Sequence, residues 1–268
     1  MAQVTDFDAQ ERRNWAGQAA EYRNSFAQVC AGAVADLIDS ANVRSGIRVL
    51  DVGTGSGTAA AAAAARGAKV TAADADPDMV ALAARLVPGV EFRVGALPAL
   101  AFEDRQFDVV LANFVINHVG QPRVALAELR RVAVPGGHVA VTTWPQPQAP
   151  GVALLSRAIR DCGLNRPSQS LAPADDFPRT EAGLRDLLAS AGFHNATCRL
   201  ISWQLVVKPD DWWGIASGAS WMRTFSANQT PEVLNVVRNK FDQLSREYLD
   251  RHQRLVLPFA ALLARGQA

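Results

Sequence analysis

Val49-Leu50-Asp51-Val52-Gly53-Thr54-Gly55-Ser56-Gly57-Thr58 is the stretch on which the reading of the fold turns. The apolar run Ile47 to Leu50 reads as a buried parallel strand that ends in Asp51. A turn with glycine at alternate positions follows, and then the alanine-rich Ala59 to Ala65, a strong helix former. Strand, tight turn and helix are therefore predicted in succession. Glycine suits the turn because the chain must bend sharply, and because a missing Cβ lets a ligand lie against the backbone beside the positive end of a helix.

The spacing excludes the commonest alternatives. A dinucleotide fingerprint G-x-G-x-x-G would need glycine where this chain has Thr58, and no Gly-Lys-Ser/Thr closes the turn as in a phosphate-binding P-loop. With Asp51 just ahead of the glycines, the loop suits a ligand that carries an amine. Downstream, Ala68 to Ala73 alternates as a second strand and ends at Asp74, where one carboxylate can accept hydrogen bonds from both hydroxyls of a ribose. Asp76-Pro77-Asp78 reads as N-cap, first-turn proline and first-turn acid, a structural signature. Val90 to Val94 is a third strand followed by Gly95-Ala96-Leu97, and Phe107 to Ala112 a fourth, followed by Asn113-Phe114-Val115-Ile116-Asn117-His118-Val119. Val124 to Val132 is an amphipathic helix, Val134-Pro135-Gly136-Gly137 a break, and Val139 to Thr143 a fifth strand.

The combination of the Asp51-x-Gly53-x-Gly55-x-Gly57 loop, Asp74 and the Val134-Pro135-Gly136-Gly137 turn resembles class I S-adenosylmethionine-dependent methyltransferases, of the small-molecule type that includes ubiquinone and menaquinone methyltransferases. The resemblance covers residues 15 to 145 and extends to the last strand. It implies S-adenosylmethionine as cofactor, bound by Asp51, Gly53, Thr54, Gly55, Asp74, Ala75, Ala96, Leu97 and Asn113, with Tyr22 from an N-terminal segment that folds over it. Two departures stand out. Family members commonly have Gly-Asp-Ala where this chain has Gly95-Ala96-Leu97, which moves adenine recognition to the backbone of Ala96 and Leu97 and to apolar stacking, or to a different polar residue. Where the family often carries Leu-His-His-Val, this chain has Ile116-Asn117-His118-Val119, and Asn113-Phe114-Val115-Ile116 is not the Asn/Asp-Pro-Pro-aromatic motif of enzymes that methylate amino groups of nucleic acids or protein amides.

On either side of this core the pattern changes. Residues 14 to 40 space Trp15, Ala19, Tyr22, Phe26, Val29 and Ala33 along one helical face. Beyond Trp144 and a proline-rich loop, helices are expected over 151 to 163 and from Arg179 to Ala191, then a sixth strand near Ala196 to Val207 and a last, antiparallel strand over Leu255 to Leu263. Between those strands lies Lys208 to Arg254, rich in large apolar side chains (Trp212, Trp213, Trp221, Met222, Phe225), with Asp210 as an expected N-cap and a charge-mixed helix from Glu232 to Arg251. The expected architecture is a doubly wound, Rossmann-like α/β sheet, mostly parallel with an antiparallel last strand. Residues 1–40 would form an N-terminal helical lid, 41–207 with 255–268 the cofactor-binding core, and 208–254 a helical cap.

The 268 residues include 27 basic and 26 acidic ones, so no global field would hold nucleic acid, and none is expected as a partner. Cys30, Cys162 and Cys198 are far apart and odd in number, so neither a metal site nor a disulfide framework is indicated, and a reducing compartment is expected. No apolar run approaches the roughly 18 residues of a membrane span, which with the polar N-terminus gives a cytoplasmic expectation, as a monomer or homodimer. The expected reaction is methyl transfer to a small, partly apolar metabolite, natural-product or quinone-like, at an oxygen, nitrogen or carbon. His118 is the candidate general base, with a hydrogen-bonded packing role as its alternative. Asn117, His118, Trp144, Trp212, Trp213 and Trp221 are the candidate substrate contacts. A pericyclase or decarboxylase on the same scaffold, or a regulatory protein that binds the cofactor without turnover, are the competing readings.

Overall fold

The computed structural model describes residues 4–166 and 170–268; the first three residues of the expected lid, and residues 167–169 between the helices expected over 151 to 163 and from Arg179, lie outside them. In chain order the strands are β1 (Arg48–Val52), β2 (Lys69–Asp74), β3 (Glu91–Val94), β4 (Phe107–Ala112), β5 (Ala133–Thr143), β6 (His194–Val207) and β7 (Leu255–Gln267). They form one sheet in the order β3-β2-β1-β4-β5-β7-β6. β1 pairs in parallel with β2 and β4, while β7 runs antiparallel to both of its neighbours. The helices are α1 (Asp6–Trp15), α2 (Ala19–Asn24), α3 (Ala27–Ala31), α4 (Val34–Ser40), α5 (Thr58–Ala65), α6 (Pro77–Leu86), α7 (Pro122–Val132), α8 (Pro150–Asp161), α9 (Glu181–Ser190), α10 (Pro209–Ser217), α11 (Ser220–Ala227) and α12 (Pro231–Ser245). Among the described residues, no helix is long and apolar enough to cross a membrane.

Alternation along the central strands sends neighbouring residues to opposite faces, where helices cover both. Val49, Val109 and Leu111 pack against Leu37 and Ile38 of α4 and against Ala59, Ala60 and Ala63 of α5. The alanines leave so little side chain that α5 lies close to the sheet. Leu50, Val52, Val110 and Val139 face the other way, onto Leu126 and Leu129 of α7 and Leu184 and Leu188 of α9. A further core joins α8, α10, α11 and α12 to Leu257 and Phe259 of β7, with Trp212, Phe225 and Phe241 at its centre.

Several boundaries differ from the sequence expectation. The face over residues 14 to 40 is carried by separate helices: left-handed Gly17 (φ +71°) follows α1, and at Gly32, after α3, a Cβ would lie 2.1 Å from Nε1 of Trp203 on β6. β5 starts at Ala133, ahead of the expected glycine break, because Ala133 already pairs with Phe107 before a register shift. Asp210 is not a cap: Lys208 occupies that position, Pro209 starts α10, and Asp210 follows in the first turn. β7 runs on to Gln267, pairing with β5 as well as β6.

Candidate active site

At the carboxyl ends of β1 and β2 the backbone does most of the building. Gly53 (φ +66°), Gly55 (φ +54°) and Gly57 (φ +84°) are all left-handed. Space excludes side chains as well: a Cβ on Gly53 would come 2.4 Å from Val115, and one on Gly55 2.9 Å from the Tyr22 ring. Asp74 is fixed from both sides, Oδ2 accepting from the Gly55 N–H at 2.8 Å and Oδ1 from the Asp76 N–H at 3.0 Å. Asp51 is fully buried and accepts from the Thr54 hydroxyl at 2.7 Å through Oδ2, while its Oδ1 has no partner among the described residues. Burial pushes Asp51 up to about 7, with the charge of Asp74 adding to the rise, and burial likewise raises Asp74, with the charge of Asp76 adding there. Two desolvated carboxylates, one with an orphaned oxygen, fit a ligand that brings positive charge and hydrogen-bond donors. S-adenosylmethionine, with its sulfonium, ammonium and ribose hydroxyls, satisfies that description.

The end of β4 makes the second half of the site. Phe114 is left-handed (φ +57°) although it is not glycine, and its N–H donates to Oγ1 of Thr142 at 2.8 Å. Its ring stacks on Trp144 with centroids 4.0 Å apart. Such a conformation costs a non-glycine residue about 1 kcal/mol or more; it redirects the chain into the 3-10 turn Ile116–His118 above the strand ends. Nδ1 of His118 lies 2.5 Å from Oε2 of Glu11 on α1. Glu11 is held further by Asn14, whose Nδ2 donates to Oε1 at 3.2 Å, and by a hydrogen bond from Trp15. Burial alone would raise the Glu11 carboxyl, but the hydrogen bond and charge of His118, with Asn14 and Trp15, bring it below its ordinary value. Glu11 is accordingly an anion, and it fixes His118 with the second ring nitrogen, Nε2, left for other contacts.

A continuous cavity of about 950 Å³ joins the two halves. Of the residues expected from sequence, Tyr22, Gly53, Gly55, Asp74, Ala75, Ala96, Leu97, Asn113, Asn117, His118, Trp144, Trp212 and Trp221 line it. Asp51 and Thr54 stand behind the wall. Trp213 also lies off it, because the step from Trp212 to Trp213 along α10 turns its ring edge-on to Phe241 (5.4 Å) and beneath Arg238. Trp212 is 1% exposed and stacks on Phe241, so it serves the core of the α10–α12 region and offers the cavity only an edge. Asn113 reaches the wall with its amide already engaged, Nδ2 donating to the Cys30 carbonyl and Oδ1 accepting from Thr142. The sequence reading missed Glu11, Met79 and Arg166, which all line the cavity. Met79 stands one turn beyond the Asp76 cap, and only its position there could have given it away.

A model described as "Methyltransferase domain" matches residues 50–141. The chain is 37% identical over 111 residues to a demethylmenaquinone methyltransferase of Renibacterium salmoninarum, covering 41% of this chain and 47% of that protein. It is 34% identical over 173 residues to a demethylmenaquinone methyltransferase of Thermus thermophilus, covering 58% of this chain and 78% of that one. The chain thus spans about half the length of the first of these relatives. A solved structure from Bacillus halodurans C-125 shares the fold, with a TM-score of 0.55, 20% identity, and coverage of 87% of this chain and 97% of that one. Glycine loop, buried carboxylates, sheet order and relatives agree: the chain belongs to the class I S-adenosylmethionine-dependent methyltransferases, and S-adenosylmethionine is its cofactor.

Proposed function

We propose that this protein transfers a methyl group from S-adenosylmethionine to a hydroxyl of a small, partly apolar molecule, with His118 as general base and residues 1–40 and 208–254 as lid and cap over the acceptor. The observation that carries this reading is the 2.5 Å contact between Glu11 and His118 on the wall of the cavity shared with the glycine loop. When bound, the cofactor supplies an electrophilic methyl whose S–CH₃ bond breaks as the O–CH₃ bond forms, the electron pair returning to sulfur to leave S-adenosylhomocysteine.

The chain's own contribution is placement and proton transfer. Asp74 receives the ribose hydroxyls, Asp51 acts on the amine through its charge from behind the wall, and Ala96, Leu97 and Met79 give the adenine an apolar bed. Nε2 of His118 accepts the hydroxyl proton, and Glu11 holds the ring and stabilises the imidazolium that results. Phe114, Trp144 and Trp221 present aromatic surface to an apolar frame and help to exclude water. The acceptor named for both relatives, demethylmenaquinone, is quinone-like and agrees with such a wall.

The test is His118→Ala. We expect kcat toward a hydroxyl acceptor to fall about 10²- to 10⁴-fold while the affinity for S-adenosylhomocysteine, read by calorimetry, stays within about twofold. An unchanged kcat would remove the base and leave positioning alone as the source of catalysis.

A further inference from the structure

Arg166, in the loop after α8, lines the acceptor end of the cavity. Its guanidinium carbon sits 4.3 Å from the centre of the Trp221 ring on α11, a cation lying on an aromatic face. Two other arginines touch the same cavity, and neither is comparable. Arg179 is neutralised by Asp176, bonded to the Phe177 carbonyl and laid over the Phe177 ring. Arg12, exposed like Arg166, lies over no aromatic ring among the described residues.

Among the described residues, no carboxylate forms an ion pair with Arg166. Glu11 is near enough for its charge to act on Arg166, but that carboxylate already holds His118. Arg166 is exposed as a whole, and where its guanidinium lies on Trp221 burial pushes its pKa down, against the pull of Glu11. A partly desolvated cation with one face on an indole and its N–H fork unmatched among the described residues is an incomplete pair. The planar fork matches a carboxylate in bidentate fashion.

We propose that the acceptor carries a carboxylate, held by Arg166 against Trp221, on the same molecule as the hydroxyl that faces His118. This assignment rests on the acceptor reading above and adds to it a substrate class, the hydroxylated organic acids with an aromatic or otherwise apolar frame. Arg166 is then a specificity-determining residue: it discriminates an acid from its ester or amide, because only the acid completes the pair.

The experiment uses the full chain saturated with S-adenosylhomocysteine and a panel of one- and two-ring hydroxyaryl carboxylates, each with its methyl ester, primary amide and the corresponding aryl phosphate. Binding is measured by calorimetry for the wild type, Arg166→Gln and Arg166→Lys, with a thermal melt and S-adenosylhomocysteine affinity as controls on folding. At least one carboxylate should bind the wild type about tenfold or more tighter than its ester and amide. That preference should vanish in Arg166→Gln and return in part in Arg166→Lys, with cofactor affinity unchanged in both. The assignment is overturned if no carboxylate binds, if acids bind no better than amides, if phosphates bind and carboxylates do not, or if Arg166→Gln keeps the preference. Because the readout is binding, an inert His118 would refute the proposed base and leave this result standing, whereas methylation of neutral phenols alone would do the reverse.

Discussion

The two ends of the cavity are built by different means. Between Asp51 and Asp76 the ligand surface is largely backbone: left-handed glycines, N–H groups held by Asp74, and a helix that begins where the loop ends. All of it comes from one strand-turn-helix-strand unit on a seven-stranded sheet. The other end, where the acceptor is proposed to lie, is made of side chains instead, brought together from α1, the turn after β4, the loop after α8 and α11; Asn14 meets Thr224 across 210 positions. A site built from contiguous backbone tolerates little variation, while one gathered from distant side chains can be respecified one residue at a time. That difference is what allows one cofactor to serve many acceptors.

The largest effect should come from the cofactor end. Asp74→Ala removes the carboxylate that orients the Gly55 and Asp76 amides as well as the ribose acceptor, and we expect affinity for S-adenosylhomocysteine to fall about 100-fold, roughly 2.7 kcal/mol. Calorimetry in which the variant binds within about threefold of wild type would show that the backbone alone holds the cofactor. A smaller change is expected across the cavity. Glu11→Gln keeps a hydrogen-bond acceptor for His118 but withdraws the charge, so kcat should drop about tenfold with cofactor affinity unchanged; a variant that instead weakens cofactor binding would merge the two ends into one unit.

The smallest effect concerns pH. Burial raises the Asp51 carboxyl to about 7 in the folded protein, with Asp74 adding to it, against about 3.9 in an unfolded chain. Between those values the folded state binds more protons than the unfolded one, so this group's contribution is present near pH 4 and is lost as pH rises toward 7. Thermal melts without ligand should decline over that window, and Asp51→Asn should flatten the decline. A bound cation at Asp51 should flatten it too; an unchanged slope with cofactor present would separate Asp51 from the ligand's charge.

Legibility followed the same division. The strand, glycine turn, helix and second strand ending at Asp74 could be read because each is a local pattern. Glu11 could not, because hydrophobic periodicity finds a buried face only when that face is apolar. On α1 the buried residues are Asp8, Glu11 and Asn14, three positions apart, and such spacing in a polar helix reads as solvated surface. Arg166 escaped for a related reason: it is one arginine in a loop, and its meaning comes from Trp221, which lies 55 positions further along and on a different element. Trp213 failed in the opposite sense, since an aromatic-rich stretch indicates a core without saying which ring faces the cavity.

Helix α1 rests on the molecule through that polar face and through Trp15 at its end, which packs with Tyr22 against Met79 and Leu82. Asp8 accepts from the Gly120 N–H at 2.7 Å, Glu11 holds His118, and Arg223 on α11 donates to the carbonyl of Ala16. Contacts of this kind trade for water at small net cost, unlike buried apolar ones. On the lid reading proposed above, raising α1 would admit a molecule to the cavity and in the same motion strip His118 of its carboxylate. Door and trigger would then be one piece, an interlock that would leave the proposed proton acceptor disarmed whenever bulk water could reach the methyl donor.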